Sequence, residues 1–188
     1  MWPWGHLAVG YICFSVYCRG RSGLPPASLP ALAAAFGSQF PDLVDKPLAW
    51  TFAVLPNGRS LAHSLLVAAV VLTVVVALAR RVRRPLVGVG FAVGYVSHSL
   101  ADALYPAIEG DVVDLGYLAW PLVPAVGYET EQSFVAHFMA LEPSPMLAFE
   151  LVLVVAAVLL WRADGYPGLW TVLPRRPAEG DPDRRPER

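Results

Sequence analysis

Long apolar stretches, separated by short charged segments, dominate this chain. The clearest stretch runs from Leu61 to Ala79 and contains one ionisable residue, a histidine near its start. Two more run from Leu86 to Tyr105 and from Met146 to Trp161. Because a bilayer core of roughly 30 Å needs about 20 apolar residues of helix, each stretch predicts a membrane-spanning helix.

The first forty residues predict two further spans, from Trp2 to Cys18 and from Leu24 to Phe40. Prolines near the beginning of the second stretch suit the start of a helix. The stretch from Val112 to Val126 is also apolar, but it is short and contains Asp114 and two prolines, so we expect an interfacial or re-entrant segment. The pattern predicts an all-α integral membrane protein with about five transmembrane helices.

Composition supports the same class. The chain has 188 residues, of which 56% are hydrophobic and 15% charged, and its mean hydropathy is +0.50. Such a chain cannot cover itself with a soluble surface and has room for one transmembrane domain, expected at residues 1–173. Residues 174–188 are almost entirely Pro, Arg, Asp and Glu, which predicts a disordered polar tail. The sequence has no basic stripe interleaved with aromatic residues, so nucleic acid is not an expected partner.

The basic residues predict the orientation. If five spans alternate, twelve of the fourteen Lys and Arg residues fall on one side, in two loops and the tail. The positive-inside rule puts that side in the cytoplasm, so we expect a multi-pass cell-membrane protein with its amino terminus outside and its carboxyl terminus inside. The opposite side is acidic. Its acidic residues are Asp42, Asp45, Glu109, Asp111, Asp114, Glu129, Glu131 and Glu142.

Alternation of the spans also brings six potential metal ligands to the outer side. One lies at the start of the first span, two follow the second, one begins the third, and two lie one helical turn apart near the outer end of the fourth. Ionisable side chains in a membrane are costly unless they pair or bind something, and a metal ion would satisfy this set. The six residues are His6, Asp42, Asp45, His63, His98 and Asp102.

Imidazole and carboxylate ligands together favour Zn²⁺, with Mn²⁺ or Fe²⁺ as alternatives. Six ligands exceed the need of one tetrahedral ion, so either some of them orient the others or two ions share the site. Taken alone, each residue also has a structural explanation, as an interfacial, turn or capping residue or as half of a pair that locks two helices. Ser60, for example, is predicted to cap the third span, with His63 in its first turn. These explanations give no reason for the clustering on one side.

Four short blocks resemble the YdjM-like family of membrane-bound, metal-dependent hydrolases. They are Gly5-His6, Phe40 to Pro47 (FPDLVDKP), Arg59 to Ser64 (RSLAHS) and Gly94 to Asp102 (GYVSHSLAD). Their order and spacing match across residues 1 to about 105. The resemblance implies a metal site at the six residues above and a hydrolase activity. Ala62 stands where the family usually has a threonine, which removes a hydroxyl group and no expected ligand.

The chemistry predicts hydrolysis of a phosphoester or ester. A metal ion lowers the pKa of a water molecule; we expect Asp45 to accept the proton and Arg59 to hold an anionic oxygen of the substrate. Arg59 has an equally good interpretation as an interfacial anchor, and His137, which has no partner at a suggestive spacing, is interpreted as structural. A site in the outer leaflet favours a lipid-like substrate among the membrane lipids.

Two other functions stay open. A non-enzymatic membrane protein would need only a structural metal with closed coordination. A metal or proton transporter would also place His and Asp in its spans, but its path should continue inward, and the inner halves of the spans are almost free of acids and histidines. The sequence therefore disfavours transport.

Overall fold

A computed structural model describes residues 1–124 and 133–173, and in these ranges every regular element is helical. The predicted disordered tail, 174–188, lies outside the described residues, as do Glu129 and Glu131. The helices are α1 (Pro3–Ser22), α2 (Ser28–Gly37), α3 (Phe40–Trp50), α4 (Leu65–Arg81), α5 (Pro85–Glu109), α6 (Phe134–Met139), α7 (Pro145–Ala163) and α8 (Leu169–Val172), with a 3-10 helix (Asp114–Ala119) after α5.

Four of the five predicted spans coincide with helices α1, α4, α5 and α7. The remaining one, from Leu24 to Phe40, contains α2, whose ten residues rise about 15 Å, half the thickness of a bilayer core, before the chain turns at Ser38. Among the described residues, only α5 and α7 are long and apolar enough to cross a membrane by themselves. A count of five transmembrane helices is therefore not confirmed. Residues 112–124 of the predicted interfacial segment contain only the 3-10 helix.

Helices α4 and α7 keep large apolar side chains on the outside of the bundle. On α4, Val70 and Val74 are more than half exposed, and on α7 the same holds for Val152 and Val155. Apolar surface of this extent is typical of proteins whose solvent is lipid. The exposed faces thus agree with a membrane environment.

Helix α5 lies at the centre of the bundle and packs against α1, α2 and α4. It approaches α2 closely because its glycines meet backbone atoms of α2: a Cβ atom at Gly94 would lie 2.1 Å from the carbonyl oxygen of Ala34, and one at Gly90 would lie 2.4 Å from that of Pro30. Gly90 and Gly94 form the small-xxx-small spacing that allows membrane helices to pack backbone against backbone. This contact brings the end of α2 beside the polar half of α5.

A buried carboxylate joins α1 to the end of α7. Asp164 accepts hydrogen bonds from Tyr11 Oη and Ser15 Oγ, both at 2.6 Å, and forms an ion pair with Arg19. Burial of a charge is tolerated only with such partners. The cluster therefore fixes the two helices at the end of the bundle opposite the candidate ligands.

We expect Gly94→Ala to destabilise the protein, because the added methyl group overlaps the Ala34 carbonyl and forces α2 and α5 apart. Overpacking of this kind costs about 1–3 kcal/mol. The matched control is Gly20→Ala on α1, where a Cβ atom meets nothing within 4 Å. Thermal unfolding in detergent should show a lower Tm for Gly94→Ala than for Gly20→Ala; equal Tm values would contradict the close packing.

Candidate metal centre

All six predicted ligands are buried, and they come from four parts of the fold. His6 lies on α1, two aspartates lie on α3, and His98 and Asp102 lie one turn apart on α5. His63 lies in the turn that precedes α4, not in the first turn of that helix. Ser64, and not Ser60, is the capping residue, because its Oγ accepts from the backbone N–H of Leu66.

Four of the six residues bring one donor atom each to a common point. The Nε2 atoms of His63 and His98 face each other at 3.0 Å. Asp42 Oδ1 lies 3.5 Å from the first of these nitrogens and 3.8 Å from the second. Asp102 Oδ2 completes the set at 3.5 Å and 3.9 Å. We call these four residues the metal quartet; all their donor atoms lie within 4.8 Å of one another.

Each histidine of the quartet is held from behind by an acceptor. His63 Nδ1 lies 2.8 Å from Asp45 Oδ2, and His98 Nδ1 lies 2.7 Å from the carbonyl oxygen of Ser38. Because both acceptors require a proton on Nδ1, a neutral imidazole presents a bare lone pair at Nε2. Two lone pairs 3.0 Å apart repel unless a cation, either a proton or a metal ion, lies between or beside them.

The carboxylates are anchored in the same way. Lys46 Nζ donates to Asp42 Oδ2 at 2.6 Å, and the α-amino group of Met1 donates to Asp102 Oδ1 at 2.6 Å. The inward oxygen of Asp42 is buried and has no hydrogen-bond partner. Burial alone would raise the pKa of Asp42, but contact with His63, the electrostatic influence of the nearby His98 ring and the ammonium of Lys46 hold this pKa well below its usual range.

These donors fit a divalent metal ion. Tetrahedral zinc with bonds of 2.0–2.2 Å requires donor atoms about 3.3–3.6 Å apart. In the quartet, the distances from each histidine Nε2 atom to the other Nε2 atom and to the carboxylate oxygens are 3.0–3.9 Å. The orphaned oxygen of Asp42 is the polar atom that a cation would satisfy. The residues therefore have the chemistry and spacing of a metal site.

Two predicted ligands lie outside the quartet. Asp45 is fully buried behind His63, and its oxygens also accept from the backbone N–H groups of Ser60 and Ala62 at 2.9 and 2.8 Å. His6 stacks on the ring of His98 with the centroids 3.7 Å apart, and its Nε2 lies 3.2 Å from Asp102 Oδ1. Both residues contact the quartet from outside.

A polar cavity of about 280 Å³ opens beside the quartet. Asp102 contributes to its wall, together with the cationic side chains of Lys46 and Arg59. A solute in this cavity would contact Asp102, the quartet member in its wall. Its other polar lining residues include Tyr105, Glu109, Asp114 and His137.

His137 is held in this cavity by aromatic contacts. Its ring lies 4.6 Å from that of Trp2 and 5.3 Å from that of Trp50, and its Nε2 atom is buried with no hydrogen-bond partner. Burial and the nearby charge of Lys46 lower the pKa of His137. His137 therefore shares this cavity with Asp102 of the quartet, and its lowered pKa favours the neutral imidazole.

A model of the YdjM inner membrane protein family matches residues 1–166. The chain belongs to the YdjM inner membrane protein family. This confirms the resemblance seen in the sequence blocks and extends it through α6 and α7, so the protein is a membrane protein of that family. No curated protein and no solved structure matches the chain.

Sequence reasoning missed three features of the site. The Ser38 carbonyl is a backbone group and carries no signal in a search for ligand side chains. His137 lies far along the chain from the other histidines, in a helix of six residues. Glu150 was visible as an acid inside an apolar span; it is buried and accepts from the backbone N–H of Trp2 and from Tyr105 Oη, both at 3.1 Å.

We expect His63→Ala and His98→Ala each to lose bound metal, because each removes a donor at the centre of the quartet. His137→Ala is the matched control and should keep its metal, since this residue lines the cavity but lies outside the quartet. Elemental analysis of the purified protein in detergent gives the comparison. Equal metal content in the wild type and both quartet variants would contradict a metal site here.

Metal affinity distinguishes a metal ligand from a residue that only orients a ligand. Asp45→Asn should keep the quartet but weaken metal affinity about 10–100-fold, the usual effect of losing a hydrogen-bond partner behind a ligating histidine. Metal titration of the apo-protein measures this. An Asp45→Asn variant as devoid of metal as His63→Ala would identify Asp45 as a direct ligand.

Proposed function

We propose that this protein is a membrane-bound, metal-dependent hydrolase that cleaves a phosphoester or ester of a lipid-like substrate at the extracytoplasmic face. The observation that carries the proposal is the quartet of His63, His98, Asp42 and Asp102, whose donor atoms converge beside a polar cavity. A divalent metal held there lowers the pKa of water and polarises the oxygen of an ester. The chain's own residues account for the remaining requirements of hydrolysis.

The number of donors bears on which metal supports catalysis. Four protein donors complete the tetrahedron of a structural zinc site, whereas catalytic zinc typically has three and keeps one position open. Hydrolysis therefore requires either zinc that expands to five ligands or a metal such as Mn²⁺ or Fe²⁺ that accepts more. This same observation favours a structural metal site as the second candidate function.

Asp45 is better suited to orienting His63 than to serving as the general base. Its Oδ2 atom accepts from His63 and from the backbone N–H of Ser60, its Oδ1 atom accepts from the backbone N–H of Ala62, and the residue is fully buried. A base needs a free lone pair near the proton that it removes. We therefore assign Asp45 to fixing the tautomer and the direction of the His63 ring.

His137 is the better candidate for the general base. It lines the same cavity as Asp102, its Nε2 atom has no hydrogen-bond partner, and its lowered pKa favours the neutral imidazole, the form that can accept a proton, at neutral pH. Its contacts with Trp2 and Trp50 fix the plane of the ring. Because its Nε2 atom is buried, the ring would turn toward the cavity to accept the proton of an attacking water molecule.

Arg59 and Lys46 supply positive charge on the substrate side. Both line the cavity next to Asp102, and Lys46 also holds Asp42. A guanidinium group beside the site suits an anionic oxygen, since it can form paired hydrogen bonds with phosphate or carboxylate. Asp102, Glu109 and Asp114 also line the cavity, so the preference for a phosphoester over a neutral ester depends on where the two cations meet the substrate.

Substitution of His137 tests its proposed role as the general base. His137→Gln should bind metal like the wild type yet hydrolyse phosphoester lipid analogues about 10²–10⁴ times more slowly, the usual cost of losing a general base. Met139→Gln, an exposed position on the same helix, is the control and should keep full activity. If His137→Gln keeps full activity, the residue is not the base.

An inactive wild type would decide between the two candidate functions. If the folded, metal-loaded protein hydrolyses no phosphoester or carboxylester lipid analogue with Zn²⁺, Mn²⁺ or Fe²⁺, the structural-metal function replaces the hydrolase. Hydrolysis that occurs only with Mn²⁺ or Fe²⁺ would agree with the expectation that four protein donors leave zinc no open position.

The proposed orientation puts the quartet outside and the loop between α4 and α5 in the cytoplasm. In a background without Cys13 and Cys18, Val54→Cys should react with an impermeant thiol reagent in intact cells, and Arg81→Cys should not. Both positions are exposed, so protection reflects the membrane and not burial. Labelling at Arg81→Cys alone would mean that the orientation is the reverse of the proposed one. Labelling at both positions would contradict the proposal that they lie on opposite sides of the membrane.

A further inference from the structure

A second, apolar cavity of about 660 Å³ runs along one side of α5. Helices α1, α4, α5 and α7 all contribute to it. We call it the α5 groove; its walls include Val9, Val76, Val93, Leu100, Phe149 and Leu153. Leu100 is 56% exposed and Phe149 is 43% exposed, so the groove is open at the side of the bundle. In a membrane this opening faces the lipid acyl region.

The α5 groove and the polar cavity are neighbours at the same end of α5. Met1 contributes to the walls of both. Neighbouring residues of α5 divide between them as well: Ala101 and Leu104 line the groove, whereas Asp102 and Tyr105 line the cavity. An amphipathic molecule could therefore occupy both spaces at once, with its polar end beside the quartet.

The length of the α5 groove suits an acyl chain. Its wall on α5 extends from Val89 to Leu104, which is about 22 Å of helix. An acyl chain of one leaflet spans half of the roughly 30 Å bilayer core. The groove is therefore long enough to receive one chain along its full extent.

We propose that the α5 groove binds one acyl chain of a phosphate-bearing lipid whose headgroup lies in the polar cavity. This inference rests on the proposed function, since it names the substrate class of the same site. Lys46 and Arg59 provide the positive charge for the phosphate, and the apolar walls provide the burial for the chain. The two spaces together recognise a headgroup and a tail at a fixed separation.

Photo-crosslinking tests the binding without requiring turnover. Phosphatidic acid with a diazirine on its acyl chain should label groove residues of the full-length protein, located by peptide mass spectrometry. Diacylglycerol with the same chain is the probe without a phosphate. We expect the labelling midpoint for phosphatidic acid to lie at about tenfold lower concentration, which equals 1.4 kcal/mol for contacts with charged groups.

Variants locate the acyl chain. Val96→Trp and Leu100→Trp each place a large side chain in the groove and should reduce labelling by phosphatidic acid to the diacylglycerol level. Val74→Trp, on an exposed part of α4 away from the groove walls, is the matched control and should label like the wild type. Unchanged metal content in all three shows that the fold is retained.

The outcomes separate this inference from the proposed function. Equal labelling by both lipids means that the groove holds bulk lipid only, and crosslinks to a second copy of the chain mean that it is a helix interface; either overturns the inference. Hydrolysis of short water-soluble phosphoesters, unaffected by Val96→Trp and with no preference for long chains, would also overturn it while supporting the hydrolase. Groove labelling that depends on the phosphate, without any hydrolysis, would support lipid binding and contradict the proposed hydrolase activity.

Discussion

The bundle must hold two carboxylates and two imidazoles, all buried, within a few ångströms of one another in an apolar chain. Like charges and lone pairs at such distances are unstable in a medium of low dielectric constant unless a cation joins them. The clearest example is the pair of Nε2 atoms of His63 and His98, which lie 3.0 Å apart. Each donor is also held from behind, so the side chains cannot turn away to relieve it. The arrangement is preorganised for a metal ion in the sense that ligand direction is fixed before binding.

The close approach of α2 and α5 is what makes this preorganisation possible. His98 is directed by the carbonyl oxygen of Ser38, which lies just beyond the end of α2. That carbonyl reaches α5 only because Gly94 leaves room for the α2 backbone. On the other side of the site, Tyr95 donates to the carbonyl of Ala62 and so attaches the His63 turn to α5. Helix α5 therefore supplies two ligands and controls the direction of a third.

Part of the candidate site follows from the sequence: the four quartet residues, predicted to lie together from the order of the apolar stretches, do converge, although the count of five spans on which that prediction was based is not confirmed. The Ser-His-x-x-x-Asp spacing on α5 gives one helix face without further information. The roles within the set do not follow: Asp42 and Asp45 are three residues apart on one helix, and only the path of the 60–63 turn decides which of them faces the quartet. The length of α2 could not be predicted from the hydrophobic pattern either, since an apolar stretch does not reveal where the chain turns. His137 depends on long-range packing against Trp2 and Trp50, which no local spacing encodes.

The distribution of ionisable groups along the bundle disfavours transport. A conducting path requires groups that can release and accept an ion at successive depths. Between the quartet and the Asp164 cluster, the described part of the bundle holds the buried serines Ser38 and Ser97 but no buried carboxylate or histidine. Asp164 is itself occupied by Tyr11, Ser15 and Arg19. Apart from Asp164, the buried carboxylates and histidines of the described residues are thus grouped at the end of the bundle that holds the quartet and the polar cavity.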